Sequence, residues 1–135
     1  MAGAAGGCAT LPKGDMDRPS TAEIFVEYRR TGGFGGFDDH LVLREDGRAT
    51  VKRRGGEGEV MLDAKRLDRV RKALDEAGLP SLRDEYRAEG ADLFIYRITA
   101  RSRTITFMDS AVPPPLEPLL RLLNEIVDNS AVPPR

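Results

Sequence analysis

The chain has 135 residues, of which 40% are hydrophobic and 32% are charged, and its formal net charge is −1. This length and composition predict one globular domain with a hydrophobic core and exclude an intrinsically disordered chain. The small net charge provides no field that would attract nucleic acid or an anionic membrane, and no run approaches the roughly 18 apolar residues of a membrane span.

The N-terminal 21 residues are rich in alanine and glycine and then polar, and their lack of periodicity predicts a flexible tail. The single cysteine, Cys8, excludes an internal disulfide, but Ala5-Gly6-Gly7-Cys8 resembles the end of a bacterial lipobox, in which the cysteine becomes lipidated. Seven residues are too short a leader for export, so two alternatives remain open. Either the true start lies upstream and Cys8 anchors an extracytoplasmic lipoprotein, or the match is chance and the protein is cytoplasmic.

Three strands are predicted before the first helix. Residues 23–30 alternate between two faces, residues 40–44 form a second strand, and an Asp46-Gly47 hairpin signal leads into a third strand at residues 49–53. The third strand ends in a basic stretch that is typical of a solvated surface. The glycine-rich residues 55–59 that follow are predicted to form a flexible loop.

Residues 31–37 form a glycine-dense connection between the first two strands. A phosphate-binding loop is disfavoured because a strand follows instead of a helix and no Walker lysine is present. One interpretation is a hairpin connection in which the glycines adopt positive φ and Phe34 or Phe37 packs into the core. The other is an interaction loop that presents Phe34 and Gly35 to a partner.

The first helix has clear start and end signals in the sequence. Asp63 is a good N-cap, and Gly78 followed by Pro80 ends the helix in the usual order. Apolar side chains at helical spacing between these limits predict a buried stripe. Residues 79–92 then form a long, charged connection with few apolar side chains.

A second pair of strands and a final helix follow. Residues 94–100 and 103–109 alternate with a period of two around a short basic turn, which predicts a half-buried antiparallel pair. A run of three prolines stops the second strand, and leucines at helical spacing from Leu116 to Val127 predict an amphipathic helix.

Together these elements predict an α+β fold in which an antiparallel sheet of four to five strands carries both helices on one face, in the order ββ(β)αββα. The predicted organisation is a flexible tail or lipoprotein-like tether at residues 1–21, a single domain at residues 22–127 and a frayed tail at residues 128–135. The chain is too short to form two domains that each have a sizeable hydrophobic core.

No catalytic machinery is indicated. His40, the one histidine, follows Asp38 and Asp39, but adjacent residues on a strand point to opposite faces, and no other residues have the spacing to complete a metal site. Cys8 lies in the tail without a partner base. We therefore expect a protein that is not an enzyme and that has no metal or cofactor of its own.

Three motifs, in this order, resemble the emfourin family. The first strand runs into Gly32-Gly33-Phe34-Gly35, a later strand reads Phe94-Ile95-Tyr96-Arg97-Ile98-Thr99, and Ser110-Ala111-Val112-Pro113-Pro114 introduces the last helix. The resemblance covers roughly residues 24–123. Emfourins are small bacterial proteins related to the inhibitor encoded beside protealysin, a thermolysin-like zinc metallopeptidase.

This resemblance implies that the protein inhibits a thermolysin-like zinc metallopeptidase by covering its active-site cleft, with the metal belonging to the enzyme. A strand edge that pairs with the enzyme or a loop that enters the cleft would make the contact. The loop at residues 80–91 is either an ordinary solvated connection or the loop that enters the cleft, where it would bring a carboxylate near the enzyme's zinc or insert Tyr86 into an apolar pocket. The candidate contact residues are Phe34, Gly35, Asp84, Glu85, Tyr86, Arg87 and Glu89.

A function of another class remains open. The domain would then be a non-catalytic binding or adaptor module of a bacterial lipoprotein, without a peptidase target. Loss of activity of a peptidase on mixing distinguishes the two functions.

Overall fold

A computed structural model describes residues 22–90 and 93–135. Its strands are β1 (Ile24–Gly32), β2 (Phe37–Arg44), β3 (Arg48–Arg53), β4 (Gly56–Met61), β5 (Glu85–Tyr86), β6 (Phe94–Ala100) and β7 (Arg103–Met108). They form one seven-stranded sheet in the spatial order β4-β3-β2-β1-β6-β7-β5. Neighbouring strands are antiparallel, except that β5 is parallel to β7.

Two helices, α1 (Ala64–Ala77) and α2 (Glu117–Asp128), complete the described fold. The Asp63 side chain accepts a hydrogen bond from the Arg66 N–H at 2.8 Å and caps α1. Gly78 ends α1 in the left-handed conformation, with φ of 62°. Pro118 lies in the first turn of α2, where a missing N–H costs no helical hydrogen bond.

One hydrophobic core joins the sheet to both helices. Alternate residues of the strands face this core, as the period-two pattern predicts, and the buried stripes of the helices complete it. The α+β class with two helices is therefore confirmed. The largest fully buried side chains include Tyr28, Leu41, Leu43, Leu74, Ile98, Ile105, Phe107, Leu119 and Leu123.

The sheet has more strands than the four to five predicted in the order ββ(β)αββα. β4 occupies the segment predicted as a flexible loop, and β5 lies within the predicted charged connection. β4 is rich in glycine and glutamate, which are depleted in strands. It forms because β3 pairs with it along its whole length, so tertiary pairing outweighs the weak local propensity.

The C-terminal residues pack on the sheet, in contrast to the frayed tail predicted at residues 128–135. α2 continues to Asp128, and Val132 is buried. A Cβ added to Gly58 would lie 2.9 Å from the Val132 side chain, so Val132 fills the space that this glycine leaves. The Gly55 N–H also donates to the Pro133 carbonyl at 3.2 Å.

Truncation of Val132 tests this packing. We expect Val132→Ala to lower the free energy of unfolding by about 1–2 kcal/mol, because it exposes apolar surface over β4. Pro134→Ala, in the exposed part of the same segment, should stay within about 0.5 kcal/mol. Urea denaturation measures both variants, and equal stability of Val132→Ala and the unmodified protein would mean that the segment is frayed.

Candidate functional site

The glycine-dense connection is a tight turn, residues 33–36, that presents one aromatic side chain. Gly33 and Gly36 have φ of 74° and 66°, a region in which a residue with a Cβ is strained. The Gly36 N–H donates to the Gly33 carbonyl at 3.2 Å. Between these glycines, Phe34 is 92% exposed.

The two phenylalanines of this connection have different environments. Phe37 is half-buried, and its ring centroid lies 5.6 Å from that of Phe94. Phe34 has solvent on all sides instead. Phe37 therefore packs inward, as the hairpin interpretation expects, and Phe34 is exposed at the tip, while contact of this loop with a partner stays a prediction.

Two guanidinium groups hold the backbone of the turn. Arg135 Nη2 donates to the Gly35 carbonyl at 2.6 Å, and Arg54 Nη1 donates to the Gly36 carbonyl at 2.6 Å. The C-terminal segment and the end of β3 thus support the turn from outside its own strands. Gly35, a predicted contact residue, has its carbonyl engaged within the chain.

Arg103, at the start of β7, binds the first part of the charged connection, residues 79–84. Its Nη1 donates to the Leu79 carbonyl at 2.7 Å, and its Nη2 donates to the Leu82 carbonyl at 3.0 Å. The same Nη2 bonds Asp84 Oδ1 at 2.5 Å. The Asp84 carbonyl then accepts the Thr106 N–H at 2.8 Å, where β5 begins to pair with β7.

Tyr86 is partly buried rather than projected toward a partner. Its side chain packs against the core, and its hydroxyl accepts the Arg83 N–H at 2.8 Å. The Arg83 guanidinium lies 4.6 Å from the ring centroid. These contacts on two sides hold Tyr86 in the fold, so entry into a partner's pocket would require the connection to rearrange.

The charged candidates in the connection differ in their freedom. Asp84 is bound by Arg103, and Glu85 forms an exposed salt bridge with Arg87 at 2.9 Å. Glu89 is exposed and makes no hydrogen bond or salt bridge with the residues that the structure describes. Glu89 is thus the carboxylate of the described connection that is most available to a ligand.

Two segments that are distant in sequence meet at one end of the sheet. The Gly33 N–H donates to the Leu93 carbonyl at 3.3 Å, and Gly32 pairs with Phe94. The connection approaches the same end, because β5 runs parallel to β7 and the Ala88 N–H contacts Met108 Sδ at 3.1 Å. We call this end of the sheet the hairpin end; it combines the turn at residues 33–36 with the connection at residues 87–90.

A buried ionic cluster lies between the sheet and α2. Asp39 is fully buried, and its two carboxylate oxygens accept from Arg30 at 2.7 Å and from Arg53 at 2.9 Å. Arg30 also bonds Asp128 of α2 at 3.0 Å, and Arg53 lies 3.7 Å from the same carboxylate oxygen. Two positive and two negative groups thus neutralise one another, as buried charges require.

Tyr28 and Asn124 extend this cluster along α2. Asn124 Oδ1 accepts from the Tyr28 hydroxyl at 2.5 Å and from Arg30 at 2.9 Å. Burial raises the pKa of the Tyr28 hydroxyl, even though the positive charge of Arg30 opposes the increase. Burial alone would lower the pKa of Arg30, but the hydrogen bonds with Asp39 and Asp128 outweigh burial, so its pKa is raised.

Sequence reasoning missed this cluster, although part of its signal is present. The inward face of β1 includes Val26 and Tyr28, and the next residue of that face is Arg30. Arg30 pairs directly with Asp39 across β1 and β2, so the register brings opposite charges together. The basic end of β3 was predicted to be solvated, but Arg53 is buried because its partner Asp39 lies on the inward face.

His40 lies on the opposite face of the sheet from Asp39. Its Nε2 is 2.8 Å from Glu27 Oε2, and Asp38 forms an exposed salt bridge with Arg29 at 3.1 Å. Adjacent residues of the triplet therefore face different environments. No group of three or more His, Cys, Asp or Glu residues within 22–90 and 93–135 is arranged to hold a metal ion.

Some predictions concern residues outside those that the structure describes. Cys8 and Ala91 are among them, so lipidation stays a prediction. Among the described helices, none has the length and apolar character needed to cross a membrane. No model of a known protein family and no curated protein matches the chain, so the emfourin resemblance rests on the sequence motifs alone.

Adjacent aspartates provide a matched test of the buried cluster. We expect Asp39→Asn to cost about 3–5 kcal/mol of folding free energy, because two buried guanidinium groups lose their shared carboxylate. Asp38→Asn changes a side chain that is 49% exposed and should cost no more than about 1 kcal/mol. Equal effects of the two variants in urea denaturation would contradict the assignment.

The raised pKa of Tyr28 predicts a pH dependence of stability. The unfolded chain ionises this hydroxyl near its ordinary pKa of about 10 while the folded protein does not, so unfolding becomes easier as the pH rises above about 10. Tyr28→Phe removes the hydroxyl and therefore this pH dependence. At neutral pH the variant also lacks the hydrogen bond to Asn124, which should lower the free energy of unfolding by about 0.5–1.5 kcal/mol. The stability difference between protein and variant should therefore shrink at alkaline pH in urea denaturation; a constant difference would contradict the burial of a neutral hydroxyl.

Proposed function

We propose that the protein inhibits a thermolysin-like zinc metallopeptidase by covering its active-site cleft with the hairpin end. The emfourin resemblance supplies the class of target. The exposure of Phe34 is the structural observation that carries the proposal, because a large aromatic ring at the tip of a hydrogen-bonded turn can serve as an anchor when a partner's pocket buries it. A peptidase cleft with apolar substrate pockets is a suitable receptor for such a ring.

Preorganisation supports this role for the turn of the hairpin end. Arg54 and Arg135 donate to the carbonyls of the turn, whereas Arg103 binds residues 79–84 at the opposite end of β7. A segment already fixed in its bound conformation loses little conformational entropy on association. Rigid backbone also favours an inhibitor over a substrate, since cleavage requires the chain to adapt to the enzyme.

Glu89 is the residue that we assign to the neighbourhood of the enzyme's zinc. Carboxylate oxygens are common zinc ligands, and a catalytic zinc keeps one coordination position open. Asp84 and Glu85 already have basic partners, whereas Glu89 is exposed near the hairpin end. Tyr86 takes a supporting role within the fold instead of the pocket-filling role considered from sequence.

The exposed edge of β4 offers a second surface that could contact the enzyme. β4 is the terminal strand of the sheet, and its six residues leave one row of backbone groups without a neighbouring strand among the described residues. An extended segment of a partner can pair with such an edge. The experiment below separates this route from contact through the hairpin end.

Inhibition by matched variants tests the proposal. Residual activity of a thermolysin-like peptidase is measured after preincubation with increasing concentrations of the protein. Phe34→Ala should raise the inhibition constant by about 30-fold, the effect of losing an anchor worth about 2 kcal/mol. Met61→Ala, which shortens an exposed apolar residue of β4, should leave the constant unchanged.

Glu89→Gln tests the zinc-directed carboxylate in the same assay. We expect inhibition to weaken about 10-fold, because a neutral amide replaces a charged ligand of the metal. Glu76→Gln, an exposed substitution on α1, is the control.

A stronger effect of Met61→Ala than of Phe34→Ala would move the contact to the β4 edge. No inhibition by the unmodified protein would overturn the proposal and favour the non-catalytic binding module.

A further inference from the structure

The sheet face opposite the helices carries a row of basic side chains. Strand pairing places Lys52 opposite His40, His40 opposite Arg29, and Arg29 opposite Arg97. These residues lie side by side across β3, β2, β1 and β6. At about 4.8 Å between strands, the row is about 14 Å wide.

The ends of this row make no salt bridge within the described part of the chain. Lys52 and Arg97 lack such a partner, whereas Arg29 pairs with Asp38 and His40 with Glu27. On the two edge strands, Glu57 pairs directly with Lys52, and Glu85 pairs with Thr106, the neighbour of Arg97 on β7. Exposed pairs such as those of Arg29 and His40 contribute little stability, so a ligand can compete for them.

The centre of the row is a cleft between Arg29 and Arg97. These arginines are direct neighbours across β1 and β6, an arrangement in which like charges repel. Thr31 and Ile95 complete a cleft of about 160 Å³. An anion between the two guanidinium groups would replace the repulsion by two favourable contacts.

The cleft offers an anion two guanidinium groups. Because the backbone N–H groups of the paired strands are engaged in the ladder, recognition rests on these side chains, whose forked donors match a carboxylate or a phosphate group. Nucleic acid is a poorer fit. The sheet aromatics Tyr28, Tyr96 and Phe107 are buried against the helices, so they provide no stacking platform for bases on this face.

The dimensions of the row also match an extended peptide. Alternate side chains of an extended chain point to one side, and four residues at about 3.4 Å each cover the 14 Å of the row. We propose that this face binds an acidic, extended segment of a protein partner, with one carboxylate between Arg29 and Arg97 and a second, two residues along the segment, toward Lys52. This proposal does not depend on peptidase inhibition.

Amide chemical-shift mapping of the full chain tests the proposal. The probe is a seven-residue peptide with glutamate at every second position, and the matched control is the same peptide with glutamine instead. We expect the glutamate peptide to shift the amides of Arg29, Thr31, Ile95 and Arg97, with affinity that decreases as salt is added. Equal binding of the glutamine peptide, or shifts confined to α1 and α2, would overturn the proposal.

Two substitutions separate the site from general charge effects. Arg97→Gln should weaken binding of the glutamate peptide about 10-fold, because a charge-assisted contact is lost, while Arg121→Gln, at an exposed position of α2, should leave binding unchanged. Arg97→Thr should weaken binding of the glutamate peptide by a similar factor but raise the melting temperature, since it removes the same charge and its repulsion from Arg29. Equal losses of affinity for the glutamate peptide in Arg97→Gln and Arg121→Gln would overturn the proposed site, because the peptide would then be attracted only by the overall charge of the protein. Tighter binding of a single-stranded oligonucleotide, or of inorganic phosphate, would overturn the assignment to an acidic peptide.

Discussion

The buried carboxylate of Asp39 is the constraint on which the rest of this fold depends. A fully buried charge must be paired, and Asp39 is paired by arginines from the strands on both sides, Arg30 of β1 and Arg53 of β3. Both arginines also reach toward Asp128 at the end of α2, and Arg53 donates to the Val132 carbonyl at 3.3 Å. The cluster therefore fixes where the last helix and the C-terminal segment lie on the sheet. Its role is positional, since a buried ion pair is seldom more stabilising than an apolar contact of the same size.

The same constraint positions the surface that we assign to function. Arg30 of β1 and Asp39 of β2 are paired close to the turn that carries Phe34, which joins the two strands. Arg30 also bonds Asp128, so the base of the turn is anchored to α2. The C-terminal segment, held by Arg53, brings Arg135 to the Gly35 carbonyl. The exposed ring thus rests on a rigid support, which is the arrangement that tight binding requires.

Local chemistry made part of this structure predictable. The cap at Asp63, the left-handed Gly78 and the leucine stripe of α2 are encoded by short-range rules, and the structure has them where the sequence indicates. β4 and the C-terminal segment depend on contacts between distant residues, above all Val132 over Gly58. The ionic cluster was hidden for the same reason. Period-two alternation places Arg30 on the inward face, but only the fold brings Asp128, 98 positions along the chain, to meet it. Which phenylalanine of the turn is exposed likewise depends on a distant residue, because Phe94 packs against Phe37.

Competition at the peptidase active site is the most direct test of the central claim that the protein covers the cleft. A thermolysin-like peptidase is saturated with a small inhibitor that coordinates its zinc, and binding of this protein is then measured by the mass of the complex in solution. Occupation of the same cleft predicts that the complex with this protein is lost and that it returns when the small inhibitor is removed. A stable ternary complex would contradict the account, because the protein would then be bound at a surface away from the catalytic zinc.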